Sequence, residues 1–195
     1  MRFDAGNRLW RLLVPVLTLL QGCATEPLSP FVSEPVPVQR IAAWRLEGRV
    51  AVQTAAEAWS ANLVWKHDPD TDHLALSGPM QQRAATILAR KDFVSFRSAD
   101  GMDIVASDAD ALLRERVGIA IPLRVLRYWV LGVPAPEHDF APDSSAEDAR
   151  DFLQLGWTLH YGEYLPVDEV RLPRKLTATG EGMKLKLVID EWRAE

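Results

Sequence analysis

The chain predicts a mainly β fold with a minor α component: a large antiparallel sheet with two short helices packed on one side. Three observations carry this. From Trp44 onward, apolar and polar residues alternate at period two over successive segments, the pattern of half-buried strands. Two helical stretches with cap residues at their ends then occupy residues 108–132. Strand patterns return from Asp151 to the end of the chain. Strands, then helices, then strands again place the helices against one face of a single sheet.

In the first strand Trp44, Leu46, Gly48, Val50 and Val52 share one face, with Arg45, Glu47, Arg49 and Gln53 on the other. Residues 58–66 repeat the pattern, with Trp59, Ala61, Leu63 and Trp65 opposed to Ser60, Asn62 and Lys66. Asp68-Pro69-Asp70 makes the next turn, and Leu74 and Leu76 continue the apolar face up to Gly78-Pro79. A strand over 83–90 follows. Strands at 93–97 and 102–106 then flank Asp100-Gly101, a hairpin signal because glycine tolerates positive φ. The first half therefore reads as an antiparallel meander. Asp108 caps a helix over 109–117 that Gly118 stops. Pro122 opens a second helix, in which Leu123, Leu126 and Val130 share a face with Trp129 beside it, and Gly132 stops it. Residues 133–150 read as a long acidic loop, and strands at 151–155, 157–161, 172–178 and 183–192 complete the sheet.

The N-terminus has a different character. Arg2, Arg8 and Arg11 precede the apolar run 12–20, a charged region followed by a hydrophobic one of secretory-signal length. The run is too short to span a bilayer, which takes about 20 apolar residues. It ends in Leu20-Gln21-Gly22-Cys23, and Cys23 is the only cysteine in the chain. This resembles a bacterial lipobox, which implies cleavage before Cys23, a diacylglycerol on its sulfur and an acyl chain on its new amino group. Ala24 follows; an aspartate there would signal inner-membrane retention, so the outer membrane is expected. Pro27, Pro30, Pro35 and Pro37 then mark a tether, able to extend about 60 Å at roughly 3.1 Å per residue. The organisation is thus 1–22 signal peptide, 23–43 lipidated cysteine and Pro-rich tether, and 44–195 one folded domain held together without a disulfide.

Composition excludes several functions. The formal charge is −5, and residues 1–22, with three Arg and one Asp, take a further +2 away to leave −7. So acidic a chain, with no long Lys/Arg cluster, is unsuited to nucleic acid. His67, His73, His138 and His160 have no metal-binding spacing. Asp68, Asp70 and Asp72 have the start of a calcium loop, but His73 stands where its glycine belongs and Pro79 where its bidentate glutamate belongs. There is no phosphate loop and no nucleophile elbow in the sequence. No enzyme activity, metal or cofactor is expected, although a hydrolase working through two carboxylates would leave no local motif. Tryptophans at 44, 59, 65, 129, 157 and 192 stand out instead. Core packing explains each of them singly; together, under two short helices, they are equally compatible with a cavity for an apolar ligand.

Several blocks carry a resemblance. They are Trp44-Arg45-Leu46-Glu47-Gly48-Arg49-Val50, Trp59-Ser60-Ala61-Asn62-Leu63-Val64-Trp65, Leu76-Ser77-Gly78-Pro79-Met80, and the run from Ile121-Pro122-Leu123 through Tyr128-Trp129-Val130-Leu131-Gly132. Gly156-Trp157-Thr158-Leu159-His160-Tyr161, Leu172-Pro173-Arg174-Lys175-Leu176 and 184–192 follow in order. The set resembles the LolB family of outer-membrane lipoprotein receptors over nearly all of 44–195. That resemblance implies an incomplete antiparallel β-barrel of about eleven strands, lidded by short helices over a hydrophobic cavity. It implies a monomer on the periplasmic face of the outer membrane. Its partners would be acylated lipoproteins received from the periplasmic carrier LolA, and outer-membrane lipid. Met80 takes the place of an exposed apolar residue on a protruding loop that helps deliver lipoproteins into the bilayer, with Gln81 where related sequences often have glycine. Leu46, Val50, Leu63, Trp65, Leu74, Leu76, Ile87, Leu126 and Trp129 are the candidates to line the cavity. An envelope lipoprotein that binds free lipid without a carrier would share the same fold.

Overall fold

A computed structural model describes residues 41–78, 83–118, 120–144 and 150–194. Eleven strands form one sheet and two helices lie between them in sequence. The strands are β1 (Trp44–Gln53), β2 (Ala58–Asp68), β3 (Thr71–Ser77), β4 (Arg83–Arg90), β5 (Phe93–Ser98), β6 (Asp103–Ala106), β7 (Phe140–Pro142), β8 (Phe152–Gln154), β9 (Trp157–Val167), β10 (Val170–Gly180) and β11 (Met183–Ala194). The helices are α1 (Ala109–Val117) and α2 (Leu123–Trp129). Sheet order is β6-β5-β4-β3-β2-β1-β11-β10-β9-β8-β7. Every pairing is antiparallel, and the last strand returns to pair with the first. The sheet is open, with β6 and β7 as its free edges.

Alternation puts the core on one face. Val50 and Val52 of β1, Leu63 and Trp65 of β2, Leu74 and Leu76 of β3, and Ile87 of β4 are all buried. In β11 the alternation Met183, Leu185, Leu187, Ile189 jumps three residues to Trp192. A bulge explains the jump. Glu47 pairs with Glu191 but Gly48 pairs with Ile189, leaving Asp190 as the extra residue. The bulge restores parity, so Trp192 faces inward against Trp44, with ring centroids 5.4 Å apart. Gly48 is where the backbones meet most closely, since a Cβ there would lie 2.2 Å from the Val188 carbonyl oxygen.

The structure adds to the sequence reading in two places. The stretch 133–150, expected to be loop, contains β7, which is too short and too proline-bound to show a period. Alternation also ends at Tyr161 and resumes at Leu172, yet β9 runs on to Val167 and β10 starts at Val170. Pro166 and Pro173 interrupt the pattern. They are tolerated because this arm has no second neighbour: β8 pairs only with Trp157–Leu159, and β11 only with Lys175–Gly180.

Antiparallel order gathers the β1–β2, β5–β6, β8–β9 and β10–β11 turns at one rim, while the chain enters β1 at the opposite rim. At the β8–β9 turn Leu155 and Gly156 both have positive φ, 53° and 77°, the geometry of a type I′ hairpin. Leucine in that region costs about 1–2 kcal/mol. All buried core residues among those described lie from Trp44 on. The compact unit Pro35–Glu195 thus carries every buried core residue among those described and should fold without the residues before it.

Gly48→Ala should destabilise the protein by about 2 kcal/mol or more, because the clash is with backbone that cannot step aside. Urea denaturation of the unit from Pro35 measures this directly.

Candidate functional site

The two helices are built to sit over the apolar face. Asp108 accepts hydrogen bonds from the backbone N–H groups of Asp110 and Ala111, both at 3.0 Å, and Gly118 closes α1 at φ 70°. Leu112 and Leu113 turn inward while Arg114, Glu115 and Arg116 face solvent. Helix α2 has no side-chain cap of its own at Pro122. Instead the Leu123 N–H donates to Asp110 Oδ1 across 3.0 Å, so a residue of α1 caps α2 and links the helices.

Between helices and sheet lies an apolar cavity with only about 30 Å³ of free space. That is room for about two waters at most. Of the nine candidates, Val50, Leu63, Trp65, Leu74, Leu76, Ile87 and Leu126 line it. Leu46 and Trp129 do not. Both are fully buried elsewhere, Leu46 on the part of β1 that carries Trp44 and Trp129 against Trp157 at 6.3 Å. Five lining residues were not among the nine: Leu113 of α1, Ile121 and Leu123 at the start of α2, and Leu185 and Leu187 of β11. The period-two run of β11 marks the last two as core. Their place beside Val50 follows only from the pairing of β11 with β1. Cys23, Met80 and the signal and tether segments up to residue 40 lie outside the described residues.

Among the described residues, the cavity lining carries no ionisable side chain. It therefore offers no acid, base or nucleophile, and what it can do is exchange contacts with another apolar surface. Trp65 is the one lining residue with a polar atom, and that atom is directed away from the free space: its Nε1–H donates to Asp72 Oδ1 at 2.9 Å. His67 Nδ1 lies 2.8 Å from the same oxygen, and both residues are buried. Asp72, which in sequence belongs to an acidic turn, thus serves the core.

A second polar network fixes the α2 end of the lid. Gln154 is 2% exposed and uses its whole amide. Its Oε1 accepts from Trp129 Nε1 (2.8 Å) and the Ala135 N–H (2.9 Å). Its Nε2 donates to the carbonyls of Ala135 and His138, each at 2.9 Å. The Tyr161 hydroxyl donates to the Trp129 carbonyl at 2.9 Å. Burial, with smaller contributions from Tyr164 and Asp151, raises the pKa of that hydroxyl well above its ordinary value. The chain leaving α2 is therefore pinned to β8 and β9, while the N-terminal half of α2 rests on the cavity.

The scaffold is that of an open antiparallel sheet whose apolar face is lidded by two short helices over a small cavity with apolar lining. Comparison with known proteins makes the class specific. Residues 42–192 match the family described as Outer membrane lipoprotein LolB, and the chain belongs to that family. It is 30% identical over 198 residues to the outer-membrane lipoprotein LolB of Chromohalobacter salexigens, spanning 97% of this chain and 92% of that protein. It is 33% identical over 181 residues to that of Aeromonas hydrophila, spanning 90% and 92%. Among solved structures, a LolA superfamily protein from Nitrosomonas europaea superposes with a TM-score of 0.52 at 8% identity, covering 80% of this chain and 87% of that one. At that identity the likeness is one of fold.

Gln154→Leu should cost about 2 kcal/mol or more by stranding the Trp129 indole N–H and the Ala135 amide. Thermal denaturation reads the loss, and near-ultraviolet circular dichroism reads the freed Trp129.

Proposed function

We propose that this protein works in the localisation of outer-membrane lipoproteins, accepting their acyl chains from LolA and placing the lipoproteins in the outer membrane. In this reading it is held on the periplasmic face by lipids on Cys23, with residues 24–43 as the tether. The observation that carries the reading is a lidded cavity lined by aliphatic side chains and one indole, in a member of the LolB family.

The physical demand is set by the cargo. Each CH₂ buried from water is worth about 0.8 kcal/mol, so an acyl chain does not cross the periplasm unshielded. A free space of about 30 Å³ holds no acyl chain. Acceptance thus requires the lid to lift and the apolar contacts of Leu113, Leu123 and Leu126 with the sheet to be exchanged for contacts with the cargo. Apolar contacts replace apolar contacts, so the step needs no covalent chemistry. Direction then follows if the opened receptor holds the chains more tightly than the carrier does.

The test mixes a soluble form starting after Cys23 with a purified carrier–lipoprotein complex and asks by pull-down where the lipoprotein resides. It should move to this protein; retention on a competent carrier would favour a binder of free lipid instead. Leu126→Asp should reduce acceptance about tenfold or more in protein that circular dichroism shows to be folded, since a carboxylate is costly against an acyl chain. Met80→Glu should leave acceptance intact and slow delivery to vesicles; wild-type delivery would remove Met80 from the mechanism.

A further inference from the structure

We propose that the rim of the sheet formed by the hairpin turns is a bilayer-contact edge, with Leu155, Met102 and Phe140 as the side chains that enter lipid. The proposal rests on the reading above for its purpose, since a protein that hands cargo to a membrane must meet one.

Leu155 is the informative residue. It occupies a left-handed position, φ 53°, where asparagine, aspartate or glycine is the unstrained choice. It is also 43% exposed, so the strain gains no core packing. The β10–β11 turn on the same rim has matching φ values, 49° at Glu181 and 71° at Gly182, and a polar residue at the equivalent place. An exposed apolar side chain on a strained backbone brings no benefit to the fold, which points to a use outside it.

Leu155 has company. Met102, in the β5–β6 turn, is 49% exposed, and Phe140, paired with Gln154 next to the β8–β9 turn, is 54% exposed. The three residues come from opposite ends of the strand order but share this one rim. A Cβ built on Gly101 or Gly156 would meet no atom within 4 Å, so these turns stand clear of the body. Between them, next to the β1–β2 turn, an open groove of about 350 Å³ has Val52 and Trp59 in its lining together with Lys184 and Lys186. Apolar surface beside ammonium groups suits a phospholipid, acyl chain below and phosphate above.

Single apolar side chains on separate turns suit insertion between lipids better than the flat contiguous patch that a protein partner requires. The tether allows the orientation. The folded chain begins at the opposite rim, and β1, with ten residues, spans about 34 Å. Twenty residues, 24–43, could reach about 60 Å if extended, enough in the reading above for a lipid anchor on Cys23 to share a bilayer with the turn rim.

Flotation of the unit Pro35–Glu195 with phosphatidylcholine vesicles tests this without its lipid anchor. The wild type should float with the vesicles and stay bound in high salt. Leu155→Asn, which suits the turn and should melt no lower than wild type, should weaken binding several-fold. Adding Met102→Ser should bring the loss to about tenfold or more, and Leu155→Trp should strengthen binding. Absence of wild-type flotation, or equal flotation of the folded variants, overturns the proposal. Acceptance of lipoprotein from the carrier is measured on the same variants and should be unchanged. Should the wild type bind vesicles through Leu155 but take nothing from the carrier, the receptor reading falls and the membrane-contact edge stands.

Discussion

Two helices of nine and seven residues have to cover the apolar face of an eleven-stranded sheet. The remaining features follow from that shortage of cover. Where the helices do not reach, large rings fill the space. Trp44, Trp65, Trp192 and His67 group at one place, and Phe152 and Tyr161 at another. Where they do reach, the contact over the cavity is made by aliphatic side chains, and the polar bonds between α2 and the sheet lie at Trp129.

The polar bonds of the lid are concentrated at two points. Asp110 joins α1 to the start of α2, and Gln154 with Tyr161 holds the chain that leaves α2. These bonds join the two helices to each other and fix the chain leaving α2 to β8 and β9. The buried Trp65–Asp72 bond does the complementary job on the sheet side, securing an indole polar atom away from the opening.

Much of this was legible in the sequence because period two exposes one face of each strand. Val50, Leu63, Leu74 and Ile87 are selected by that rule alone, and the caps at Asp108 and Gly118 delimit α1 without any tertiary information. What was hidden is non-local or polar. Leu185 and Leu187 reach the cavity only because β11 pairs with β1, a pairing that separations along the chain do not reveal. Gln154 and Asp72 carry no apolar signal, so their burial depends on partners brought from elsewhere. Trp129 was recognisable as interior, but periodicity does not distinguish a residue packed on Trp157 from one facing free space. The bulge at Asp190 appears in sequence only as a broken rhythm between Ile189 and Trp192.

An unclosed sheet leaves two strands with unpaired backbone groups, and here those strands are the weakest templates available. β6 has four residues, with Asp103 held in a surface ion pair by Arg97 (2.6 Å). β7 has three and ends in Pro142, which has no N–H to donate. Short, charged or proline-ended borders discourage another chain from adding itself as a further strand. The open sheet is thereby guarded against edge-to-edge addition of further copies, even at high local concentration.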